Sequence, residues 1–470
     1  MKKHKYFLVI LPTTALIIFG MLEVTSRGAA EIFNKVMQEQ TLLNGEITVK
    51  KIQANIFGEV TFEDFLWKDE RGGTILEIPE GGFKIKILDA LTRNFQSDTI
   101  ESLSFKHANI SINFDENMNV DFLRQSPDFK KVSQDMKTDS GEWEQKISRV
   151  NKTEDELKEI GERRRRLQRS KIENGWKNFN LAGHKINLNL LLENCQFEIF
   201  YRERHYLLRN VKFETKINTD DEMTLNARTG KFGGTMIGNG MSIRGKIDFK
   251  TEIPRCDLKI SLREVDPSSL GFGLNIHDTM TLEANFQGPI TQPVGKGTVK
   301  LEVLKIPGIE FENVEGGIFY EDATLEFNDV TADVYRGKLT AHGDYNIDTR
   351  YYNIYGHGEN LKASAALPMS HLHCNINLEL EINSKGNAKE TVASGSFNSG
   401  KGRYTLIMFD SFSGKFKTEY KEINFYDVEI NMAGYKIATD ALSIVDKKLN
   451  WSPITITDSN GELRRVYEQD

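Results

Sequence analysis

Ile376-Asn377-Leu378-Glu379-Leu380-Glu381-Ile382 decides the fold of this chain. Large aliphatic side chains fall on every second residue, with polar ones between them. Successive side chains of a β-strand point to opposite faces, so this stretch predicts a strand with one oily and one wet face. The same beat recurs at Ile110-Ser111-Ile112-Asn113-Phe114 and at Ile186, Leu188 and Leu190. Val211, Phe213, Thr215 and Ile217 repeat it, as do Leu258, Ile260 and Leu262, then Met280, Leu282, Ala284 and Phe286. Val299, Leu301 and Val303 follow, and later Val428, Ile430 and Met432. Asn239-Gly240, Glu315-Gly316-Gly317, Gly356-His357-Gly358 and Asn460-Gly461 read as turns between strands. Helical patterns between the strands are missing, which excludes a βαβ architecture. The expected fold is mainly β, an antiparallel succession of short amphipathic strands.

One stretch breaks the alternation. Residues 126–178 carry 14 Lys/Arg and 11 Asp/Glu. Ile147, Val150, Leu157, Ile160 and Leu167 fall at spacings of three and seven, so a charged helix or helical hairpin is expected. Arg163 to Arg166 could meet an anionic lipid or a partner. Alternating Glu-rich and Arg-rich turns favour a solvated helix face. In the second half, Phe232-Gly233-Gly234 with Ile243 to Phe249, and Tyr335-Arg336-Gly337 with Leu339 to Tyr345, are similar hairpin units without a strict period.

The remaining composition narrows the class. A length of 470 bounds the chain at one long domain to three ordinary ones. A hydrophobic share of 39% with 37 glycines is average for a globular protein and excludes a multi-span membrane protein. A net charge of −7 leaves no basic field for nucleic acid. Three widely spaced cysteines, Cys195, Cys256 and Cys374, provide no disulfide framework.

Lys2, Lys3 and Lys5 precede the uncharged run Tyr6–Leu22. As a helix these residues span ~25 Å, enough with their flanks for a ~30 Å hydrocarbon layer. Phe7, Leu8, Val9, Ile10, Leu11, Leu16, Ile17, Ile18, Phe19 and Leu22 are its apolar members. The flanking charges orient the N-terminus inside and the bulk outside. The expectation is an uncleaved anchor; a signal peptide cut near Gly28-Ala29-Ala30 is the alternative. The domain plan is an anchor (1–24), a helical connector (25–45), a first β module (46–125), the charged insert (126–178) and a long β region (179–470).

No catalytic arrangement emerges. Phosphate-loop, nucleophile-elbow and zinc-protease patterns are missing. His371-Leu372-His373-Cys374 is the best metal candidate, but on a strand the cysteine points away from the histidines. Asp248 and Asp344 hold matching places in the two hairpin units and read as turn chemistry. No enzyme, cofactor or metal is expected.

What needs explaining is the oily surface. About two dozen strands with three or four apolar side chains each must cover one face. Leaving a large side chain in water costs ~1.5–3 kcal/mol. A closed sandwich is one solution, though its usual markers are weak here. The other is a single sheet curled into a groove, ~115 Å long at ~4.8 Å per strand, filled by acyl chains. Its expected lining is Ile110, Ile112, Phe114, Ile186, Leu188, Val211, Phe213, Leu258, Ile260, Leu262, Leu282, Phe286, Val299, Leu301, Ile376, Leu378, Leu380, Val428 and Ile430.

At this point the chain resembles the AsmA-like family of diderm bacteria. An N-terminal anchor followed by Ile47 to Ile52 and Gly58 to Asp64 is similar to the family's opening strands. Lys84 to Leu91, Ile100 to Phe105 and Asn109 to Phe114 resemble its strand, short helix and paired strands, and Asn119 to Leu123 the step that closes that module. Pro293 with Gly297 to Leu301, and Tyr335 to Asn360, look like its C-terminal repeats. The resemblance covers both ends of the chain and leaves out the charged insert. It implies an elongated, groove-forming sheet anchored in the inner membrane and crossing the periplasm, with phospholipid transport toward the outer membrane, or that membrane's biogenesis, as function. It brings no catalytic residues. Phospholipid acyl chains, the inner membrane and outer-membrane or envelope proteins are the implied partners. Two rival readings are an assembly factor pairing its sheet edge with outer-membrane clients and a passive envelope scaffold.

Overall fold

The computed structural model describes residues 30, 34, 45–55, 57–88, 99–114, 152–181, 186–201, 204–270, 274, 276–306, 309–366, 371–386, 388–420, 422–445 and 448–468. The expected anchor from Phe7 to Leu22 lies outside them, as do most of the connector, Asn119 to Leu123 and residues 126–151 of the insert. Among the described residues no helix is long and apolar enough to cross a membrane. The protein is mainly β, with a large curled antiparallel sheet, as the alternation predicts. The described residues within 1–153, 162–269 and 285–293 cluster as one compact unit; those within 154–161, 270–284 and 294–470 cluster as another.

The first unit opens with β1 (Glu46–Thr48), β2 (Lys51–Ala54), β3 (Glu59–Lys68), β4 (Thr74–Ile85), β5 (Ile100–Lys106) and β6 (Asn109–Phe114). It continues through residues 162–181 of helix α1 (Glu154–Leu181) to β7 (Asn187–Tyr201), β8 (Arg204–Asn218) and β9 (Glu222–Thr229). Next come β10 (Phe232–Gly234), β11 (Gly240–Asp248), β12 (Arg255–Val265) and residues 285–289 of β13 (Met280–Pro289). Most neighbours are antiparallel, but β5 and β6 both pair with β7 in parallel. Parallel neighbours need a long crossover, and residues 115–186 separate β6 from β7. The charged insert therefore sits in the connection that turns the chain around.

A buried core of this unit gathers side chains of β1 to β4, β7 and β8. Ile47, Ile52, Val60, Ile78, Leu192, Cys195 and Val211 are buried together, with Phe65, Phe105, Ile110 and Phe213 packed around them. The Asn34 carboxamide reaches this layer: its Oδ1 accepts from the Val49 amide at 2.7 Å, and its Nδ2 donates to the Val49 carbonyl at 2.9 Å. Trp176 of α1 stacks on Phe249 with ring centres 4.9 Å apart.

The second unit contains β14 (Val294–Ile306), β15 (Ile309–Glu321), β16 (Thr324–Val334), β17 (Gly337–Asn346), β18 (Tyr352–Lys362) and the short helix α2 (Ala363–Ala366). β19 (Leu372–His373), β20 (Asn375–Ser384), β21 (Thr391–Ser399), β22 (Gly402–Tyr404) and β23 (Ile407–Phe409) follow. β24 (Ser411–Glu419), β25 (Glu422–Met432), β26 (Tyr435–Val445), β27 (Lys448–Trp451), β28 (Ile454–Asp458) and β29 (Leu463–Tyr467) complete it. The antiparallel run is β14–β15–β16–β17–β18–β20–β21–β24–β25–β26. β19, β22 and β23 form a separate three-stranded sheet. In the first turns of α1, Leu157 and Gly161 are buried, and a Cβ at Gly161 would fall 2.1 Å from the Asp348 carboxyl carbon.

Two expected turns are not turns. Glu315-Gly316-Gly317 lies inside β15, and Gly356-His357-Gly358 lies inside β18. These glycines make room for neighbours. A Cβ at Gly316 would sit 2.7 Å from Val330 Cγ2, and one at Gly358 would sit 2.8 Å from Leu361 Cδ1. Asn460-Gly461 does form the β28–β29 turn, with the Gly461 amide bonded to the Asp458 carbonyl.

Candidate functional site on the apolar face

Strand register turns the alternation into rows, because cross-strand partners share a face. In the first unit Leu192, Phe213, Ala227, Ile243 and Ile260 are successive partners across β7, β8, β9, β11 and β12. Leu188, Ile217, Met223, Ile247 and Cys256 make a parallel row. In the second unit Phe327, Gly343, Ile354, Ile382, Ala393, Thr418, Ile423 and Ile444 run across β16 to β26. Beside them run Ala341, Gly356, Leu380, Gly395, Phe416, Phe425, Leu442 and Trp451. Each unit thus carries an oily face, with the Thr418 hydroxyl the one polar interruption in these four rows.

How deeply this face is buried decides between a closed core and an open one. Of the expected lining residues, Val211, Leu262, Val299 and Leu301 are buried. Ile110, Ile112, Ile186, Leu188, Phe213, Leu258, Ile260, Leu282, Phe286, Ile376, Leu378, Leu380, Val428 and Ile430 are only half-buried. The side chain of Phe114 is outside the described residues. The Phe327–Ile444 row contains no fully buried residue, and Ile423 in it is 38% exposed. A residue in a closed sandwich core is covered on every side. Ile110, Phe213, Leu188, Leu282, Ile376 and Ile430 pack at the edges of buried clusters, whereas the other half-buried positions lie outside those clusters.

Large side chains alternate with glycine along the rows. Gly356 faces Leu380, Leu380 faces Gly395, and Gly395 faces Phe416. Gly358, Leu378, Phe397 and Gly414 repeat the theme one pleat along. Each large group leans over a position with no side chain, which keeps the surface shallow and lets the sheet curl.

The opposite face is charged. Lys51–Glu63 at 2.6 Å, Lys106–Glu80 at 2.9 Å, Lys300–Glu315 at 2.7 Å and Lys415–Asp427 at 2.9 Å are cross-strand ion pairs in water. Such pairs add little stability, on the order of 0–1 kcal/mol each. What they fix is which face stays wet. His357 sits among them, with Nδ1 2.6 Å from Glu379 Oε1 and Nε2 3.2 Å from Glu359 Oε1. Hydrogen bonding to Glu379, then to Glu359, raises its pKa above the ordinary histidine value.

The other residues singled out from the sequence fall elsewhere. The three cysteines are free and buried, and burial raises each thiol pKa. Cys374 packs with Ala363 and Phe409, while His371 and His373 are exposed. Among the described residues no three His, Cys, Asp or Glu side chains gather to hold a metal. Asp248 accepts from the Lys250 amide at 2.8 Å, a turn contact. In α1, Lys158 pairs with Glu154 and Arg166 with Glu162, four residues apart, so the arginine cluster includes an intrahelical ion pair.

The apolar run at 404–409 does not alternate, so a two-residue period gives no sign of it. Tyr404, Leu406, Ile407 and Met408 are all exposed there.

No known family model matches this chain, nor does any curated protein or solved structure.

Proposed function

We propose that the oily face binds the acyl chains of phospholipids, and that the protein takes part in phospholipid transport to, or biogenesis of, the outer membrane from an inner-membrane anchor. One observation carries the reading: the second unit's row from Phe327 to Ile444 is apolar apart from Thr418, and no residue in it is fully buried. Contiguous apolar surface of this kind marks an interaction site. An unbranched hydrocarbon suits it. The rows offer no charged group to recognise a polar ligand, and each buried methylene contributes ~0.8 kcal/mol. The membrane, compartment and transport parts of the proposal rest on the N-terminal apolar run and on the AsmA-like resemblance. The protein acts in this reading as a binding and transfer protein rather than an enzyme.

Mass spectrometry of the full chain purified from membranes is the test. Phospholipid should co-purify with the wild type and be lost from Ile260→Asp and Leu380→Asp, with circular dichroism unchanged. Lipid retained at wild-type levels in both variants contradicts the proposal. Crosslinks from the rows to unfolded barrel proteins instead of lipid would favour the assembly-factor reading.

A further inference from the structure

A second apolar feature of the second unit is an exposed hairpin tip. β22 and β23 form a hairpin whose register pairs Tyr404 with Ile407 and Arg403 with Met408, leaving Thr405 and Leu406 as the turn. Leu406 is 92% exposed and Met408 64%, with Tyr404 and Ile407 each at 53%. Tyr404 and Ile407 lie on one face of the ribbon, Met408 on the other, and Leu406 at the apex. Arg403, the cross-strand partner of Met408, shares that second face and donates to the Thr405 carbonyl at 3.2 Å, so the tip is oily at its apex and on the Tyr404–Ile407 face and basic beside Met408. An apolar tip flanked by basic groups suits the boundary between acyl chains and anionic headgroups.

The root is firmly held. Phe409 is buried against Cys374 and Ala363, with Ile376, Phe412 and Ile430 packed around them. A Cβ at Gly402 would fall 2.4 Å from the Phe409 ring. β22 also pairs with β19, and the Thr405 amide donates to the His371 carbonyl at 3.1 Å. The exposed tip is thus presented on a fixed stem.

Basic groups surround the stem. Lys401 and Arg403 precede the tip, and Lys401 with Lys362 and His373 lines an open pocket of about 500 Å³ with Ser364 and Asn375. Arg403 lies level with Met408, two residues and ~7 Å of extended chain from Leu406. That matches the ~5–10 Å by which interfacial apolar groups enter a bilayer while basic groups stay at the headgroups.

We propose that this hairpin docks the protein on a bilayer bearing anionic headgroups. Leu406, Tyr404 and Ile407 enter the acyl boundary, the Arg403–Met408 pair sits at its edge, and Arg403, Lys401 and Lys362 meet the phosphates. The docking goes beyond acyl-chain binding and does not depend on the rows being filled.

The test attaches an environment-sensitive dye to the full chain at Leu406→Cys; so exposed a side chain can be replaced without disturbing the fold. Vesicles of phosphatidylcholine, alone or mixed with phosphatidylglycerol, are added. The dye reports on the tip alone, so association through any other segment does not register. The expected result is a blue-shifted emission on the mixed vesicles that brominated acyl chains quench. Adding Lys401→Glu with Arg403→Glu should weaken the response roughly tenfold or more. Soluble glycerol phosphate should give no shift, which separates a bilayer from a free anion. An unshifted dye on mixed vesicles, or an equal shift from a dye at Thr331→Cys on β16, overturns the proposal.

Discussion

Phe397 of β21 lies across Gly414, its cross-strand partner on β24, so closely that a Cβ on Gly414 would be 2.7 Å from the ring's Cζ. The ring is buried at 9% exposure, in a row where Gly358 and Gly414 are buried and Leu378 is half-buried. Glycine gives its place to the aromatic across the strand gap.

Gly414→Ala should therefore destabilise the protein. Overpacking costs ~1–3 kcal/mol, more than the ~0.4–1 kcal/mol that replacing glycine contributes through the unfolded chain. A lower urea midpoint checks it. Gly233→Ala is the control, since nothing lies within 4 Å of its Cβ position; its midpoint should hold or rise.

Burial separates two leucines that the sequence cannot tell apart. Leu301 is 8% exposed inside a cluster with Met280, Val299 and Val314, whereas Leu380 is half-buried. Leu301→Ala should cost ~2–5 kcal/mol, and Leu380→Ala clearly less. Equal losses in denaturant titrations would mean the rows are closed over.

Asn34 completes the backbone of a buried strand neighbour. Asn34→Leu removes both hydrogen bonds to Val49, itself 3% exposed. Leaving such groups unmatched costs ~1–3 kcal/mol each. Amide exchange at Val49 should accelerate at least tenfold.

His357 gives a pH signature. Its carboxylate partners raise its folded pKa above the unfolded value, so its contribution to stability is full below the unfolded pKa. That contribution fades as pH rises through the folded value. Both partners are exposed, which keeps the effect small through solvent screening. Proton NMR should place the midpoint above that of an unstructured histidine, and Glu379→Gln should lower it. An unmoved midpoint in that variant contradicts the geometry.

Period two was legible wherever one face was oily and the other wet, as in 376–382, where alternation alone marks both the strand and its apolar face. It misled at Gly316 and Gly358, where glycine looks the same whether it bends the chain or yields space to Val330 or Leu361. That choice is made by residues across the sheet, not along it. Parallel pairing of β5 and β6 with β7 was equally hidden, since alternation is blind to strand direction. The charged stretch gave its helix through Leu157 and Ile160, but Leu167 on the same stripe is 44% exposed. The hairpin at 402–409 went unread because consecutive apolar residues look like core. Only the fold shows that Phe409 turns inward and Leu406 does not.

The central claim is met most directly by a photocrosslinking scan along β20 in membranes. A photoreactive amino acid is placed singly at each position from Asn375 to Ile382, and adducts are identified by mass. Lipid adducts should appear at Ile376, Leu378, Leu380 and Ile382 and be missing at Asn375, Asn377, Glu379 and Glu381. Adducts to the protein itself at the four apolar positions, or lipid adducts with no two-residue rhythm, would contradict an acyl-binding face.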